Sequence, residues 1–168
     1  MGLTLVLVRH GETDWTTSGR YCGRCDVPLN EMGRSQAATL GHLAEHTFDS
    51  VWTSPLGRCV ETAAIMGADA VPVDALVEFD FGAMEGRRWD DLDPTTQAAL
   101  IAFDGFEAPG GEAVSAFGER IDAFIAGLGA GRHLLITHGG VIRHLLRQAG
   151  RDEHVPAGSA VVVGVGGG

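Results

Sequence analysis

A nearly all-apolar run near the start of the chain, residues 3–8, ends abruptly at Arg9, His10 and Gly11. Such a run is typical of a central strand in a parallel sheet, because helices cover both of its faces. In open α/β sheets, ligands bind beyond the carboxyl ends of the strands. The sequence therefore predicts a buried strand that places a guanidinium and an imidazole side by side at one edge of a sheet.

Further short strands are predicted at residues 49–53, 133–137 and 160–165, with helical patterns between them. Strands that alternate with helices in this way indicate a three-layer α/β/α sandwich with a mostly parallel central sheet. The 168 residues suffice for one substantial core, so we expect a single domain over residues 1–168. The less regular segment of about 79–110 is expected to form a small lid-like insertion over one end of the sheet.

Capping residues indicate where two of the helices begin. Asn30 is a good N-cap for a helix that places Leu40 on its apolar face. After the second strand, Ser54 is expected to be the N-cap of another helix, with Pro55 at its first position and Gly67 at its end. Two later helices are predicted from apolar residues spaced three and four apart, over 114–128 and after His138.

Composition limits the classes of partner. With 22 acidic and 12 basic residues the formal charge is −10, which argues against binding nucleic acid or an anionic membrane. No apolar run approaches the roughly 20 residues that a membrane helix needs, and the start of the chain has no secretory signal pattern. Three cysteines cannot all pair within the chain, which favours a reducing compartment, and we expect a cytoplasmic protein.

Basic residues follow three of the predicted strands. Arg9 and His10 follow the first, Arg58 lies in the helix after the second, and His138 with Gly139 follows a later one. One guanidinium group can donate two hydrogen bonds to the oxygens of a phosphate. Helix N-termini add N–H groups and a favourable dipole. Nearby cations also favour a neutral histidine, which keeps its lone pair. This edge of the sheet is therefore predicted to bind a phosphoryl group.

The segment LVRHGETDW resembles the signature of the histidine phosphatase superfamily, also called the phosphoglycerate mutase-like family. Four later segments resemble further blocks of that family in the expected order: RCDVPLNEMGRSQA, SPLGRCVETA, VEFDFGAMEG and THGGVIRHLL. The resemblance spans roughly residues 3 to 149, and an ordered set of blocks is more specific than one motif. It implies the phosphoglycerate mutase-like version of the α/β sandwich.

The resemblance implies a role for each matching residue. His10 corresponds to the nucleophile that becomes phosphohistidine, and Glu78 corresponds to the proton donor. Arg9, Arg58 and His138 would form the phosphate pocket, together with the backbone at Gly139. A carboxylic acid suits this chemistry, because it can protonate the leaving alkoxide and then accept a proton from water. No metal and no cofactor is implied.

Positions next to the first block are expected to bind the rest of the substrate. The resemblance places Thr16, Cys22 and Gly23 there, but the family often has asparagine at the position of Thr16 and glutamine at that of Cys22. A threonine hydroxyl can still donate to a phosphate oxygen, so these departures concern substrate preference. Five aromatic residues are candidates for a wall around the leaving group: Trp15, Tyr21, Trp89, Phe103 and Phe106.

Cys22 and Cys25 form a C-x-x-C unit, which offers a rival interpretation as a redox or zinc site. Redox pairs of this kind have lowered thiol pKa values at a helix start, whereas this pair is predicted in a loop. Structural zinc needs four ligands, and the sequence has no second cysteine pair.

Three functions are compatible with the sequence. The first is a metal-independent phosphomonoesterase, whose pattern most resembles the α-ribazole phosphatases of cobalamin biosynthesis. The second is a phosphoglycerate mutase or a phosphatase of broad specificity on the same scaffold. The third is a non-catalytic phosphate-binding or thiol-redox module. The expected partner is a small phosphomonoester, and the sequence leaves monomer and homodimer open.

Overall fold

The computed structural model describes residues 2–166, so the last two glycines of the glycine-rich end at 164–168 lie outside the described residues. The strands are β1 Leu3–Arg9, β2 Ser50–Thr53, β3 Val71–Pro72, β4 Gly131–Thr137 and β5 Ala160–Val165. The α-helices are α1 Asp14–Thr17, α2 Glu31–Thr39, α3 Gly41–Ala44, α4 Gly57–Met66, α5 Pro94–Ala102, α6 Val114–Ala126 and α7 Gly139–Gln148. Short 3-10 helices cover Asp74–Leu76, Gly82–Met84 and Trp89–Asp91.

The strands form one sheet in the order β3-β2-β4-β1-β5. The central strands β1 and β4 are parallel and in register from Leu3 opposite Gly131 to Arg9 opposite Thr137. Strand β2 is parallel to β4 and to β3, whereas β5 pairs with β1 in the antiparallel direction. The prediction of a mostly parallel sheet is confirmed. The parallel register brings the residues after β1 and β4 together at one edge.

Alternate residues of β1 point to opposite sides of the sheet. Leu5 and Leu7 belong to the core on the side of α6 and α7, whereas Val6 and Val8 belong to the core on the side of α2 and α4. All four are at most 1% exposed. Helices therefore cover both faces, as the apolar run predicts, and β1 is held rigidly up to the residues that follow it.

The predicted start of α2 and the predicted end of α4 are confirmed, whereas the predicted start of α4 is wrong. Asn30 caps α2 by accepting a hydrogen bond of 2.8 Å from Gly33 N, and Gly67 ends α4 in a left-handed conformation with φ 77°. Ser54 does not cap α4, which begins at Gly57 after Leu56. The Ser54 hydroxyl instead contacts His138 at 2.8 Å and accepts from Leu56 N at 3.3 Å. The helix predicted after Asn30 is also interrupted, because α2 ends at Thr39 and α3 begins at Gly41.

The segment 79–110 contains two of the 3-10 helices and α5, and several of its side chains face the carboxyl edge of the sheet. Phe79 is fully buried in the larger core, and Phe103 packs against it with a ring-centroid distance of 5.1 Å. The segment is thereby anchored to the core at its aromatic residues. No helix among residues 2–166 has the length and apolar character needed to cross a membrane.

Candidate active site

The structure brings five predicted site residues to the carboxyl edge of the sheet: Arg9, His10, Arg58, Glu78 and His138. Arg9 ends β1 and His10 follows it, and His10 N donates to the carbonyl of Thr137 at the end of β4 over 3.1 Å. The rings of His10 and His138 lie edge to face with centroids 5.2 Å apart. All except Arg9 are less than 9% exposed. The site is thus built on strand ends and helix starts.

His10 has one ring nitrogen with an available lone pair. Its Nδ1 lies 2.7 Å from the carbonyl of Gly11, and Nδ1 must carry the hydrogen because a carbonyl can only accept. Burial and the charges of Arg58 and Arg9 lower the pKa of His10 to about 3. The sequence analysis predicts that nearby cations keep the imidazole neutral, but burial lowers its pKa more than the cations do. His10 Nε2 is therefore an unprotonated nucleophile at neutral pH.

Arg58 is completely buried, and backbone carbonyls hold its guanidinium. Its terminal nitrogens donate to Cys25 O and Gly23 O, each at 2.7 Å, and to Cys22 O at 3.4 Å. Its Nε–H points at His10 Nε2 over 3.3 Å. Residues 22–25, the arginine-holding loop, thus fix a cation against the nucleophilic nitrogen.

The C-x-x-C unit contributes its backbone to the site, and its thiols lack the lowered pKa that is typical of a redox pair. The Cys22 thiol donates to Cys25 O at 3.6 Å. Burial raises the pKa of Cys22 to about 11 and also raises that of Cys25, whereas a redox pair needs a lowered thiol pKa. Within residues 2–166, no three histidine, cysteine or acidic side chains are grouped closely enough to hold a metal ion.

Glu78 is a buried carboxyl group beside the N-terminus of α7. Its Oε1 accepts from Phe79 N at 2.8 Å, and its Oε2 accepts from Gly140 N at 3.0 Å. Burial raises the pKa of Glu78, and these two hydrogen bonds together with the charges of Arg58 and Arg9 oppose the shift. A raised pKa suits a group that must hold a proton before it gives it to a leaving oxygen.

A second set of charges, absent from the predicted site, holds the backbone of Glu78. The Glu78 carbonyl accepts from Arg24 Nε at 3.0 Å and from an Arg120 terminal nitrogen at 3.2 Å. Glu112 pairs with both arginines, at 3.7 Å and 2.8 Å. These residues come from a loop, a turn and α6, and their spacing in the sequence gives no sign that they meet. They fix the position of Glu78 through its backbone carbonyl.

Arg9 has an unused donor at the site. Its Nη1 donates to Val155 O at 2.9 Å, but its Nε is buried and has no hydrogen-bond partner in residues 2–166. A Cβ at Gly139 would lie 3.2 Å from Arg9 Nε, so the glycine lets the guanidinium lie against the start of α7. A buried N–H without a partner is costly, and an anionic ligand oxygen would satisfy it.

A cavity of 690 Å³ opens above these groups. Arg9, His10, Glu78 and Gly139 line it, as do Thr16 and Cys22, whereas Arg58, His138 and Gly23 do not. Gly23 is occupied elsewhere, because its N–H donates to Glu85 at 2.9 Å. Of the five aromatic candidates, Tyr21, Trp89 and Phe103 line the cavity, and so do two aromatic residues that were not predicted there: Phe79 and Phe81. The far rim, residues 152–155, was not predicted either, because this loop carries no motif.

The Thr16 hydroxyl belongs to the cap of α1. Thr13 Oγ1 accepts from Thr16 N at 3.1 Å and contacts Thr16 Oγ1 at 2.9 Å, and Thr13 N donates to Thr16 Oγ1 at 3.3 Å. When Thr13 donates its hydroxyl hydrogen to Thr16, the hydrogen of Thr16 is left to donate to a ligand in the cavity. The geometry is therefore compatible with the expected role of Thr16.

We predict that Gly140→Ala displaces Glu78, because a Cβ at this position would lie 2.2 Å from Glu78 Oε1. The expected result is a loss of kcat of about 100-fold, the usual contribution of a positioned general acid. Gly129→Ala is the matched control, since a Cβ there meets nothing within 4 Å. Steady-state assays of phosphate release from a phosphate ester by both variants test this prediction. Equal kcat values for the two variants would contradict it.

Two buried neutral histidines predict a loss of stability in acid. The pKa of His10 falls from 6.5 to about 3 on folding, and that of His138 falls well below 6.5. Between these values only the unfolded chain binds the proton, so stability decreases as the pH falls below 6.5. The slope approaches about 1.4 kcal/mol per pH unit for each histidine. The raised pKa of Glu78 has the opposite effect above pH 4.5, because there the folded chain binds the extra proton. This single carboxyl group opposes two histidines.

Urea unfolding at pH 7, 6 and 5 measures this effect, with His10→Asn and His138→Asn as variants that should each reduce the slope. His42→Asn changes an exposed histidine and should keep it. A free energy of unfolding that does not change between pH 7 and pH 5 would show that the two rings are not buried in the neutral form.

Comparison with known proteins agrees with the fold. The sequence matches the model of the Histidine phosphatase superfamily (branch 1) over residues 5–158. A phosphoglycerate mutase structure from Thermus thermophilus is 46% identical, with a TM-score of 0.90 over 95% of this chain and 92% of that one. A candidate alpha-ribazole-5'-P phosphatase from Escherichia coli str. K-12 substr. MG1655 is 29% identical, with a TM-score of 0.80 over 99% and 92%.

A longer relative contains a similar segment. Bifunctional protein Rv2228c of Mycobacterium tuberculosis (strain ATCC 25618 / H37Rv) is 34% identical over 171 residues, which cover 94% of this chain and 46% of that protein. The chain thus spans just under half the length of this relative. On the family match over residues 5–158 and the likeness to solved structures, the chain belongs to the histidine phosphatase superfamily.

Proposed function

We propose that the protein is a phosphomonoester hydrolase in which His10 takes the phosphoryl group from a small organic phosphate. The observation that carries this proposal is the pairing of two groups in one cavity. His10, whose Nε2 is unprotonated, and Arg9, whose buried Nε–H has no partner within residues 2–166, both line this cavity. A nucleophile next to an unsatisfied cationic donor is the arrangement that an in-line transfer of a phosphoryl group requires.

In the first step, the lone pair of His10 Nε2 attacks phosphorus while the bond to the ester oxygen breaks. The hydrogen bond from Nδ1–H to Gly11 O stays in place. The carbonyl oxygen of Gly11 thereby stabilises the positive charge that develops on the ring. Arg58 Nε–H loses its acceptor when Nε2 bonds to phosphorus. It then donates to a phosphoryl oxygen nearby. Arg9 and the N-terminus of α7 bind the other oxygens.

Glu78 completes both half-reactions. Its carboxylic acid gives a proton to the departing alkoxide, and the resulting carboxylate accepts a proton from water that attacks the phosphohistidine. Phosphate leaves, and His10 and Glu78 return to their starting forms. The raised pKa of Glu78 favours the acid form before the first step, and the nearby arginines favour the carboxylate after it.

The proposed hydrolase works without a metal ion, because Arg9 and Arg58 supply the positive charge that a phosphoryl transfer needs. We therefore expect phosphate release to be unchanged, within about twofold, after dialysis against a chelator. Loss of activity on chelation, with recovery on adding one divalent metal, would contradict this part of the proposal.

For the substrate we propose α-ribazole 5'-phosphate, an intermediate of cobalamin biosynthesis with a neutral aromatic group. Two observations support it: the similarity to the Escherichia coli protein, and the aromatic side chains of Tyr21, Phe81 and Trp89 in the cavity wall. A mutase activity is the alternative, supported by the similarity to the Thermus thermophilus phosphoglycerate mutase.

A phosphate-release screen separates these substrates. It compares kcat/KM for α-ribazole 5'-phosphate, 3-phosphoglycerate, sugar phosphates and nucleoside monophosphates. We expect α-ribazole 5'-phosphate to exceed the others by at least a hundredfold. Isomerisation of phosphoglycerate without release of phosphate would select the mutase, and a flat profile would indicate a phosphatase of broad specificity.

A further inference from the structure

Ser54 links the end of β2 to the buried imidazole of His138. Ser54 N donates to Ile136 O at 2.9 Å, which ties the residue to β4, and both Ser54 and His138 are completely buried. The Ser54 Oγ to His138 Nε2 distance is 2.8 Å. Within residues 2–166, the only other side chain at hydrogen-bond distance from these ring nitrogens is Cys59, whose Sγ lies 3.5 Å from Nε2 and 3.9 Å from Nδ1.

The hydrogen bonds around Ser54 determine the direction in which its hydroxyl donates. Ser54 Oγ accepts from Leu56 N at 3.3 Å, so its own hydrogen points elsewhere. His138 Nε2 is a strong acceptor when it is unprotonated, whereas the Cys59 sulfur is a weak one. The Cys59 thiol donates to Thr137 O at 3.5 Å, so its hydrogen is not directed at the ring. The arrangement that satisfies these groups has Ser54 donating to His138 Nε2.

We infer that Ser54 is a positioning residue that holds His138 in the tautomer with the hydrogen on Nδ1. A neutral imidazole carries one hydrogen, so a donated bond at Nε2 leaves Nδ1–H as the donor of the ring. This inference deepens the proposed function and rests on it in one respect: the Nδ1–H would donate to an oxygen of the phosphoryl group bound at His10. The 5.2 Å between the two ring centroids permits one shared phosphoryl group.

The tautomer also explains why a serine occupies this buried position and does not cap the helix. The other tautomer would place a lone pair on Nδ1, which would repel a phosphoryl oxygen. A hydroxyl that donates to Nε2 prevents this without adding charge to a site that already contains Arg9 and Arg58. The burial that keeps His138 neutral makes the choice between its two neutral forms decisive.

Nitrogen-15 NMR of the histidine rings tests the tautomer independently of activity. In the wild-type protein between about pH 6 and 8, we expect a protonated Nδ1 and an unprotonated Nε2 for His138. Ser54→Ala should lose this preference, and Ser54→Thr, which keeps a hydroxyl, should retain it. A wild-type ring protonated at Nε2 would overturn the inference whatever the activity of the protein.

Kinetics then test the consequence for phosphoryl transfer. We expect Ser54→Ala to lower kcat about tenfold, the effect of roughly one hydrogen bond, while Ser54→Thr restores most of it. Cys59→Ala is the matched control, since it removes the other neighbour of Nε2 and should keep both the tautomer and kcat. An unchanged kcat in Ser54→Ala with a changed tautomer would overturn the role of Nδ1–H. If the tautomers behave as expected but no phosphate ester is turned over, the proposed function fails and the positioning by Ser54 stands.

Discussion

Replacing His10 with alanine is expected to lower kcat/KM for phosphate esters on the order of 10⁴-fold or more, because the proposed reaction loses its nucleophile. The remaining groups, Arg9, Arg58 and Glu78, still bind the phosphoryl group and supply a proton, but the covalent step has no acceptor. Wild-type enzyme quenched in alkaline detergent should contain a phosphoryl group that is lost on warming in acid. His10→Ala should contain none.

The controls for this experiment separate chemistry from folding. His10 is buried, so its removal leaves a small cavity, and thermal unfolding should be compared with that of the wild type. His42→Ala changes a histidine on the surface and should retain both the phosphoryl group and full activity. Turnover by a folded His10→Ala protein within about tenfold of the wild type would refute the phosphohistidine mechanism.

Replacing Glu78 with glutamine is expected to have an effect that depends on the leaving group. For an alkyl phosphate the departing alkoxide needs a proton, and kcat/KM, which reports the first step, should fall by about 10²- to 10⁴-fold. For p-nitrophenyl phosphate the leaving phenolate is stable without a proton, and the first step should be nearly unaffected. The ratio of the two losses identifies Glu78 as the general acid more sharply than either loss alone.

The pH dependence of the wild type provides a second measure of the same group. Its raised pKa keeps the Glu78 acid present above the ordinary range of a carboxyl group, so kcat/KM for an alkyl phosphate should fall as the pH rises through that value. Glutamine carries no titrating proton and should remove this dependence. The glutamine amide can accept from only one of Phe79 N and Gly140 N through its oxygen, which costs about 1–3 kcal/mol of stability.

The control for this pair of assays is Glu45→Gln, which changes an exposed acid at the end of α3. It should leave the alkyl and aryl activities unchanged. A Glu78→Gln variant that loses kcat/KM equally for both esters would indicate that the residue supports substrate binding or folding rather than protonation of the leaving group.

The sequence predicted the features that follow from regular patterns. The apolar run of residues 3–8 identified β1 as a central strand, because only burial on both faces explains such a run. Asn30 and Gly67 identified helix ends, because each satisfies a local backbone requirement that no distant residue changes. The convergence of Arg9 and His138 followed from the parallel direction of β1 and β4.

Other features depend on contacts between distant residues, and no local pattern indicates them. Ser54 was assigned as a helix cap by a local rule, but its hydroxyl bonds to a histidine that lies 84 residues away in the chain. Arg120 reaches the carbonyl of Glu78 from α6, 42 residues further along. Gly23 was assigned to the substrate side, yet the structure uses both of its backbone groups to hold Glu85 and Arg58.

The arginine-holding loop has a consequence for how enzymes of this kind diverge. It grips Arg58 through main-chain carbonyls alone, and Cys22 is also one of the residues that line the cavity. A mutation at residue 22 can therefore change the shape or polarity of the substrate wall and leave the catalytic cation where it is. A side chain at residue 22 can thus be exchanged while the carbonyl groups of the loop continue to hold the guanidinium of Arg58.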